Sequence, residues 1–550
     1  MCGIVGGTNT TLDYEAAIQA IRHRGPDHQR VLRWDDLALA FARLSIVDLR
    51  AIANQPMSAC DEKVWIVFNG EIYGYRELRS RLESLGHQFR TNSDTEVLLT
   101  AYLQWGEDFV DNLDGMFSIA IYDRRDRRLR LYRDRAGIKP LYYYWDGEHF
   151  AFASELKAIE SLFPDSLTVD QTALYDFLTY HYVPSPKSLY RNIFKLEPGS
   201  CLRFSVARQV IEHNDSYWSI DPAHQRPEMT IDLAAERVRS LIAASVTDQL
   251  VADVPVGAFL SGGVDSSVVT LEATRTTPGL KTYSIGFDSM EESETVFASE
   301  VATACDSDHT EELVDAETVE NLFGRLRSWY DEPFADTSAY PTYCVARIAR
   351  RDVTVALSGD GGDEVFGGYT RFQRCPQFQK FGIRWTRLDR PLERLKILLR
   401  NGSVARRACN LAALGLHDPI ALYVKFMGGM TAGEKVGYGR ALEIPNDYDD
   451  YWKFRRYWRN DLPWKTRLQY LDFKTYLPDD ILTKVDRVSM ANSLEVRVPL
   501  LSRSLIEFAF SLPERIRYYE GLLKGCLKYA YRDQIANHIL HREKQGFSIP

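Results

Sequence analysis

Residues 256–267, VGAFLSGGVDSS, constrain what this chain can fold into more than any other stretch. They read as a buried strand, VGAFL, a glycine turn, SGG, and the first turn of a helix. Strand, tight turn and helix together make an anion site. The first N–H groups of a helix have no partner within it, and the helix dipole adds positive potential at the same place. Gly262 and Gly263 let an anionic group approach the backbone closely. Asp265 sets a carboxylate beside that pocket, which repels phosphate unless a cation stands between them; Mg²⁺ is the usual one. A P-loop needs GxxxxGKS or GxxxxGKT, and the lysine is missing here, so this is another class of phosphate loop. A bare glycine turn before a helix is common structural punctuation. The complete SGGxDSS string behind an apolar strand is more specific.

The chain has 550 residues, enough for two or more domains. Its 45% apolar and 26% charged residues suit a globular protein with a sizeable core. A net charge of −9 gives no general attraction to nucleic acid. The eight cysteines, at 2, 60, 201, 305, 344, 375, 409 and 526, form no CxxC pair. That argues against a structural zinc site and a disulfide framework, and for a reducing compartment, the cytoplasm. No signal peptide and no apolar run long enough to span a bilayer are expected.

Met1-Cys2-Gly3-Ile4-Val5-Gly6-Gly7 opens the chain. If Met1 is removed, Cys2 carries a thiol and its own α-amine. With an amine pKa of roughly 7.7–8.0 and a thiol pKa of roughly 8.5, one residue can supply both nucleophile and base. The alternative is a small buried residue at a strand start. Arg24-Gly25-Pro26-Asp27 reads as a turn with a charged rim. Arg43-Leu44-Ser45-Ile46-Val47-Asp48 reads as an arginine entering an apolar strand, and 63–68 as a strand ending in Asn69-Gly70-Glu71-Ile72-Tyr73. An Asn side chain with a Gly N–H makes a suitable oxyanion hole. Ser93-Asp94-Thr95-Glu96 has capping-box spacing, which puts Asp94 in a first helical turn. Leu78, Leu82 and Leu85 share a face of an earlier helix that Gly86 ends. Stretches 117–123, 129–133, 141–145 and 150–154 read as antiparallel strands.

A connecting segment follows, punctuated by Pro184, Pro186, Pro198 and Gly199, with His213-Asn214-Asp215 read as a surface turn. Residues 231–250 make a helix with Leu233, Val238, Leu241, Ile242 and Val246 as its apolar stripe. After the phosphate loop, 281–287 and 352–357 read as further buried strands, the latter running into Ser358-Gly359-Asp360-Gly361-Gly362-Asp363-Glu364. Strands alternating with helices indicate a parallel sheet, whose ligands sit at the carboxyl ends of the strands. Both acidic glycine turns fall at such ends and can face one nucleotide and its Mg²⁺. Taken alone, SGDGGDE is equally a solvated turn. The basic segment 384–407 reads as a solvated amphipathic helix rather than an RNA patch.

MCGIVG, RHRGPD, RLSIVD, FNGEIY and SDTEV together resemble the glutaminase domain of class II glutamine amidotransferases. The resemblance implies an N-terminal-nucleophile fold, a four-layer αββα sandwich. It implies that Cys2 attacks the glutamine carboxamide and that Asn69 and Gly70 hold the oxyanion. Arg43 would pair with the glutamine α-carboxylate beside Ile46 and Val47, and Glu71 and Asp94 would receive the α-amino group. SGGVDSS resembles the pyrophosphate loop of the N-type ATP pyrophosphatases. With SGDGGDEVFGGY, LPDDILTKVDRVSMANSLEVRVP and LLKGCLK, it is similar to the synthetase domain of glutamine-hydrolysing asparagine synthetases. That resemblance implies that Ser261, Gly263, Asp265 and Ser266 bind the pyrophosphate part of ATP, and that Leu260 and Ile285 meet the adenine through backbone groups. Ser358 and Gly359 would line the nucleotide site, Asp265 and Asp363 would hold Mg²⁺, and Lys524 would stabilise charge as a carboxylate attacks the α-phosphorus. Lys524 taken alone reads as a solvated lysine.

The expected fold is thus α/β with an α+β N-terminal part: a glutaminase sandwich over 1–210, then a parallel-sheet ATP-dependent synthetase over 211–550. Glutamine, ATP and aspartate are the expected small-molecule partners; a homodimer is allowed, and neither nucleic acid nor membrane is called for. Four departures from the family pattern stand out. Phe41 stands where histidine is frequent, a packing difference. Asp360 replaces a glutamate proposed to take a proton from ammonia. Thr337 sits near the position of a carboxylate-reading arginine, which leaves open another acceptor on a sugar, peptide or secondary metabolite. The sequence stops at Pro550, where relatives usually continue. A nucleotide or glutamine sensor with dead sites is disfavoured by Cys2, Asn69, the two acidic turns and Lys524. Lys484, Asp486, Arg487, Glu495 and Arg497 could line a site or brace it.

Overall fold

The computed structural model describes residues 1–287, 294–377 and 418–542. Segment 384–407, Cys409 and the stretch 544–550 lie outside the described residues. Among the described residues the strands form three sheets. The first runs β10 (Ile193–Lys195), β8 (Tyr142–Trp145), β9 (Phe150–Ala153), β1 (Cys2–Gly7), β3 (Ala38–Arg43), β2 (His28–Arg33). The second runs β12 (Val210–Ser216), β11 (Ser200–Ser205), β7 (Arg128–Arg133), β6 (Asp114–Asp123), β5 (Val64–Tyr73), β4 (Met57–Ala59). All pairings in both are antiparallel.

Side-chain alternation explains how these sheets stack. Successive strand residues point to opposite faces. Ile4, Phe41, Val67 and Leu131 face one way and share one buried cluster between the sheets. Val5, Ala40 and Ala42 face the other way, onto helices Tyr14–Ala20 and Leu156–Leu162. Ile66 and Phe68 meet helices Tyr75–Ser84 and Asp94–Trp105. Two facing sheets with helices outside make the expected αββα sandwich. Phe41 is fully buried between the sheets, as a packing residue should be.

The third sheet is parallel, in the order β15 (Asp308–Val314), β14 (Lys281–Phe287), β13 (Val256–Phe259), β16 (Val355–Leu357), β17 (Glu495–Arg497). From β13 the chain moves outward to β14 and β15, then returns to β16 on the other side of β13. The β13–β16 junction is therefore the switch point, where an open parallel sheet leaves a crevice at its carboxyl edge. The loops 260–263 and 358–362 both leave from that edge.

Several local expectations need correction. The strand before RLSIVD ends at Arg43, so Leu44 to Asp48 form the loop after it. FNGEIY lies inside β5, whose ten residues run on to Tyr73. Leu85 and Leu233 are exposed, since each sits at the margin of its helix, away from the buried stripe. Residues 213–215 belong to edge strand β12 rather than a turn. Because β12 is hydrogen-bonded into the second sheet, a boundary at 210/211 would split a strand pair; we propose it lies in the 217–230 connection. No helix among the described residues is long and apolar enough to cross a membrane.

Candidate active site

Cys2 begins β1, facing the inter-sheet space beside β5, and it is 8% exposed. Its N–H donates to Asn69 Oδ1 at 2.9 Å. Its thiol lies 4.0 Å from the Leu44 carbonyl. Burial pushes the thiol pKa up, opposed chiefly by the N-terminal ammonium. Asn69 Nδ2 is buried and has no hydrogen-bond partner among the described residues. The edge of β5 beyond β4 is open, because β4 pairs only with residues 64–66. On that edge the Phe68 N–H reaches Gln55 Oε1 at 2.6 Å and the Ile72 N–H reaches Asp94 Oδ2 at 3.1 Å. Alternation puts the Gly70 N–H between them on the same open edge. Two donors, Asn69 Nδ2 and Gly70 N–H, thus stand beside the residue that holds the thiol.

Glu71 and Asp94 lie next to this edge, both buried. Burial, with Asp94 nearby, raises the Glu71 pKa well above the usual carboxylate range against the pull of Arg497. Asp94 is pushed up to about 6, mainly by burial. Such elevated carboxylates gain from any cation that reaches them. Arg43 is less available than its sequence context implies. Its guanidinium donates to Asn54 Oδ1 at 2.6 Å and to the carbonyls of Asp48 at 2.5 Å, Arg50 at 3.1 Å and Val47 at 3.3 Å. It clasps the 47–54 loop, and a bound carboxylate would share these donors. Ile46 offers its carbonyl to the Asp253 N–H at 2.9 Å, tying this loop to the second half of the chain.

At the crevice of the parallel sheet, Gly262 has φ +68°, and a Cβ there would come within 2.5 Å of Phe297 Cβ. Only glycine makes this turn without strain. Helix Val264–Thr276 starts directly after it, with Gly263 as N-cap. The Ser261 and Ser266 hydroxyls lie 3.0 Å apart and brace the turn. The second loop packs straight onto the first: a Cβ on Gly359 would lie 2.7 Å from Ser266 N, and one on Gly362 would lie 2.4 Å from Asp265 Oδ1. Ser358 donates to Asp360 Oδ2 at 2.5 Å. Leu260 N–H donates to the Tyr283 carbonyl at 2.9 Å, the last link between β13 and β14. Ile285 lies two residues further along that same edge, past the end of β13, so its backbone groups face the crevice.

Lys524 joins the two loops. Its ammonium pairs with Asp363 Oδ1 at 2.7 Å and with Asp265 Oδ2. The side chain is buried, not solvated. Burial acts to lower its pKa, but Asp265 and Asp363 outweigh that and raise it. Its backbone sits at φ 55°, ψ 28°, a left-handed conformation uncommon for a side-chain-bearing residue. The two acidic turns therefore converge on one cation at one end of the sheet. A pair of carboxylates sharing a cation is a donor set that suits Mg²⁺, which takes one or two carboxylates and completes its shell with phosphate oxygens and water.

The two centres meet across a buried ionic interface that local sequence patterns do not reveal. Arg24 is fully buried, contrary to a charged rim. It donates to the Cys2 carbonyl at 3.1 Å, to Glu155 at 2.8 Å and as a fork to Asp486 at 2.7 and 3.0 Å. Arg487 pairs with the same Glu155 at 2.9 Å, and the Met1 ammonium with Glu495 at 2.5 Å. Of the residues whose role was left open, Lys484 pairs with Asp336 at 2.9 Å, and its pKa is raised by Asp336 and then Asp360 against burial. Lys139 stands 3.6 Å from Asp486. Glu155 and Lys139 carry no motif of their own; their one signal is a charge set beside an apolar strand.

The family model described as a glutamine amidotransferase domain matches residues 1–218, and the one described as asparagine synthase matches 237–550. The chain is 35% identical to asparagine synthetase (glutamine-hydrolyzing) 1 of Bacillus subtilis, covering 100% of this chain and 87% of that protein. A putative asparagine synthetase (glutamine-hydrolyzing) of Mycobacterium tuberculosis is 32% identical, with 97% and 83% covered. Another, from Methanocaldococcus jannaschii, is 37% identical over 64% of this chain and 71% of its own length. With an αββα sandwich starting at a cysteine, a parallel sheet whose acidic loops share a lysine, and matches running through both, this chain belongs to the glutamine-hydrolysing asparagine synthetase family.

Proposed function

We propose that this chain takes nitrogen from glutamine and uses ATP to join it to the side-chain carboxylate of aspartate, giving asparagine, glutamate, AMP and pyrophosphate. The observation that carries the reading is the Lys524 ammonium held between Asp265 and Asp363, in a chain whose first strand starts with Cys2 against Asn69.

With Met1 removed, the Cys2 α-amine takes the thiol proton as sulfur attacks the carboxamide carbon. Asn69 Nδ2 and the Gly70 N–H donate to the oxygen that gains charge. The C–N bond breaks, the amine returns its proton to the departing nitrogen, and ammonia leaves a glutamyl thioester. Water cleaves the thioester to glutamate and restores the thiol. Glu71 and Asp94 receive the α-ammonium of glutamine; Arg43 and the 46–47 backbone meet its carboxylate.

At the second site Ser261, Gly263 and Ser266 hold the pyrophosphate part of ATP, Leu260 and Ile285 meet the adenine, and Ser358 and Gly359 line the pocket. A carboxylate oxygen of aspartate attacks the α-phosphorus, the bond to pyrophosphate breaks, and Lys524 offsets the charge that builds. Asp265 and Asp363 would hold Mg²⁺, which when bound neutralises charge on the phosphates. Ammonia attacks the acyl carbon, AMP departs, and Asp360 takes the proton the nitrogen loses. Ammonia reaching bulk water would be protonated, so a dry passage between the two halves follows. Equal yields from glutamine and from the same total of free ammonium at low pH would count against that passage. The cysteine usage supports a reducing, cytoplasmic setting.

The test is the Cys2→Ala protein given ATP, Mg²⁺ and aspartate. It should form asparagine and AMP from ammonium chloride but not from glutamine. AMP release that ignores aspartate would point to another carboxylate acceptor.

A further inference from the structure

Arg497 lies in neither reactive cluster, yet it is bonded to both. Its fully buried guanidinium donates to Glu71 Oε2 at 3.0 Å and to Glu495 Oε1 at 2.7 Å. It also donates to the carbonyls of Gln249 at 2.7 Å and Val251 at 2.8 Å. Its own carbonyl accepts the N–H of Ser358 at 2.8 Å. Ser358 opens the loop whose Gly359 packs on Asp265. One residue of edge strand β17 thus spans the distance from a carboxylate on β5 to the backbone of the nucleotide loop.

We propose that Arg497 is a positioning residue shared by the two sites, competing with the α-ammonium of glutamine for Glu71 and passing that competition to the nucleotide loop through Ser358. The proposal rests on glutamine binding at Glu71 and Asp94 as read above. Glu71 is buried, so its carboxylate needs a cation, and among the described residues Arg497 meets it directly. An arriving ammonium supplies a second cation and lessens the demand on Arg497 Nη2. The remaining bonds then draw the guanidinium toward Glu495, on its own strand. That strand is paired with β16 in register, Leu357 opposite Arg497, so any shift reaches Ser358 directly. A nucleotide that fixes the 358–362 loop fixes β17 in turn and leaves Glu71 to glutamine. Each occupant should therefore tighten the other, by one and the same factor.

The experiment uses full-length Cys2→Ala protein, which cannot turn glutamine over. Glutamine is titrated by calorimetry with and without a saturating ATP analogue carrying a non-cleavable α–β bridge, plus Mg²⁺; the analogue is then titrated with and without glutamine. Both dissociation constants should fall by at least about fivefold, and equally. Adding Arg497→Lys, which keeps the charge but not the fork, should bring both ratios to within about twofold of one. Because Arg497 is buried, hydrogen exchange of the peptide containing Ser358 in the Cys2→Ala protein provides a readout that leaves position 497 intact. Glutamine should slow that exchange. Ratios near one in the Cys2→Ala protein, ratios unchanged by Arg497→Lys, or exchange indifferent to glutamine would overturn the coupling. Failure of glutamine to bind at all would overturn the glutamine-site assignment and the coupling together, whereas binding without coupling defeats the coupling alone.

Discussion

Replacing Lys524 by methionine keeps an unbranched stem and removes the charge that Asp265 and Asp363 share. The lysine side chain is 9% exposed and those of its partners 17% and 16%. Its loss leaves two largely buried carboxylates facing each other. Breaking a buried pair in this way costs about 3–5 kcal/mol, and the residual exposure of both acids puts the cost at the lower end. The catalytic loss has a separate source. A preorganised donor aimed at developing charge contributes about 2.7–4 kcal/mol, or roughly 10²–10³ in rate. Arginine should not rescue. A Cβ on Gly368 would lie 2.2 Å from Lys524 Cε, so the walls leave little room for a wider head group. The assay is AMP formation from ATP, aspartate and ammonium chloride, with glutamine hydrolysis by the same sample as the folding control. AMP formation should fall at least about 100-fold while hydrolysis stays within about threefold. AMP formation within about threefold of wild type, or an equal loss of both activities, would refute the role given to Lys524.

The glutamine site gives complementary expectations. Asn69→Ala removes one of two oxyanion donors and should lower glutamine hydrolysis by about 10²–10³-fold, leaving ammonia-dependent synthesis intact in the same preparation. Asp94 has its pKa raised to about 6, against roughly 3.9 in an unfolded chain. The folded state therefore binds the proton more tightly between those values. Stability falls as pH rises through that window, and the cost is fully present above it. Asp94→Asn should raise the thermal midpoint at pH 7.5, lose that advantage below about pH 4, and raise the KM for glutamine. Arg24→Met strips the fork from Asp486 and the donor from the Cys2 carbonyl. A loss of about 3 kcal/mol, read as a lower thermal midpoint, and impaired glutamine hydrolysis should appear together.

The parts legible in the sequence share one property: their chemistry is local. VGAFLSGGVDSS encodes strand, turn and helix in twelve neighbouring residues, and each was found where its pattern put it. The strands 281–287 and 150–153 were legible for the same reason, being apolar runs between turns. Strand β15, DHTEELV, was missed because it is an exposed edge with only one buried residue, so it has no apolar run to read. Strand β17 has three residues, too few for any period. Arg24 looked like a turn residue because its carboxylate partners lie 131 and 462 positions away. Glu495 and Arg497 could be flagged as charges but not placed, since their partners on Met1 and β5 lie across the interface between the two halves. Burial of charge is a tertiary property, and no window of sequence contains it.

The most direct measurement follows one nitrogen atom. Wild-type protein is given glutamine labelled with ¹⁵N in its amide, together with ATP, Mg²⁺ and aspartate, and the products are read by mass spectrometry. The account predicts labelled asparagine in step with AMP, with glutamate formed alongside. AMP released without labelled amide, or ATP left intact when aspartate is added, would contradict it.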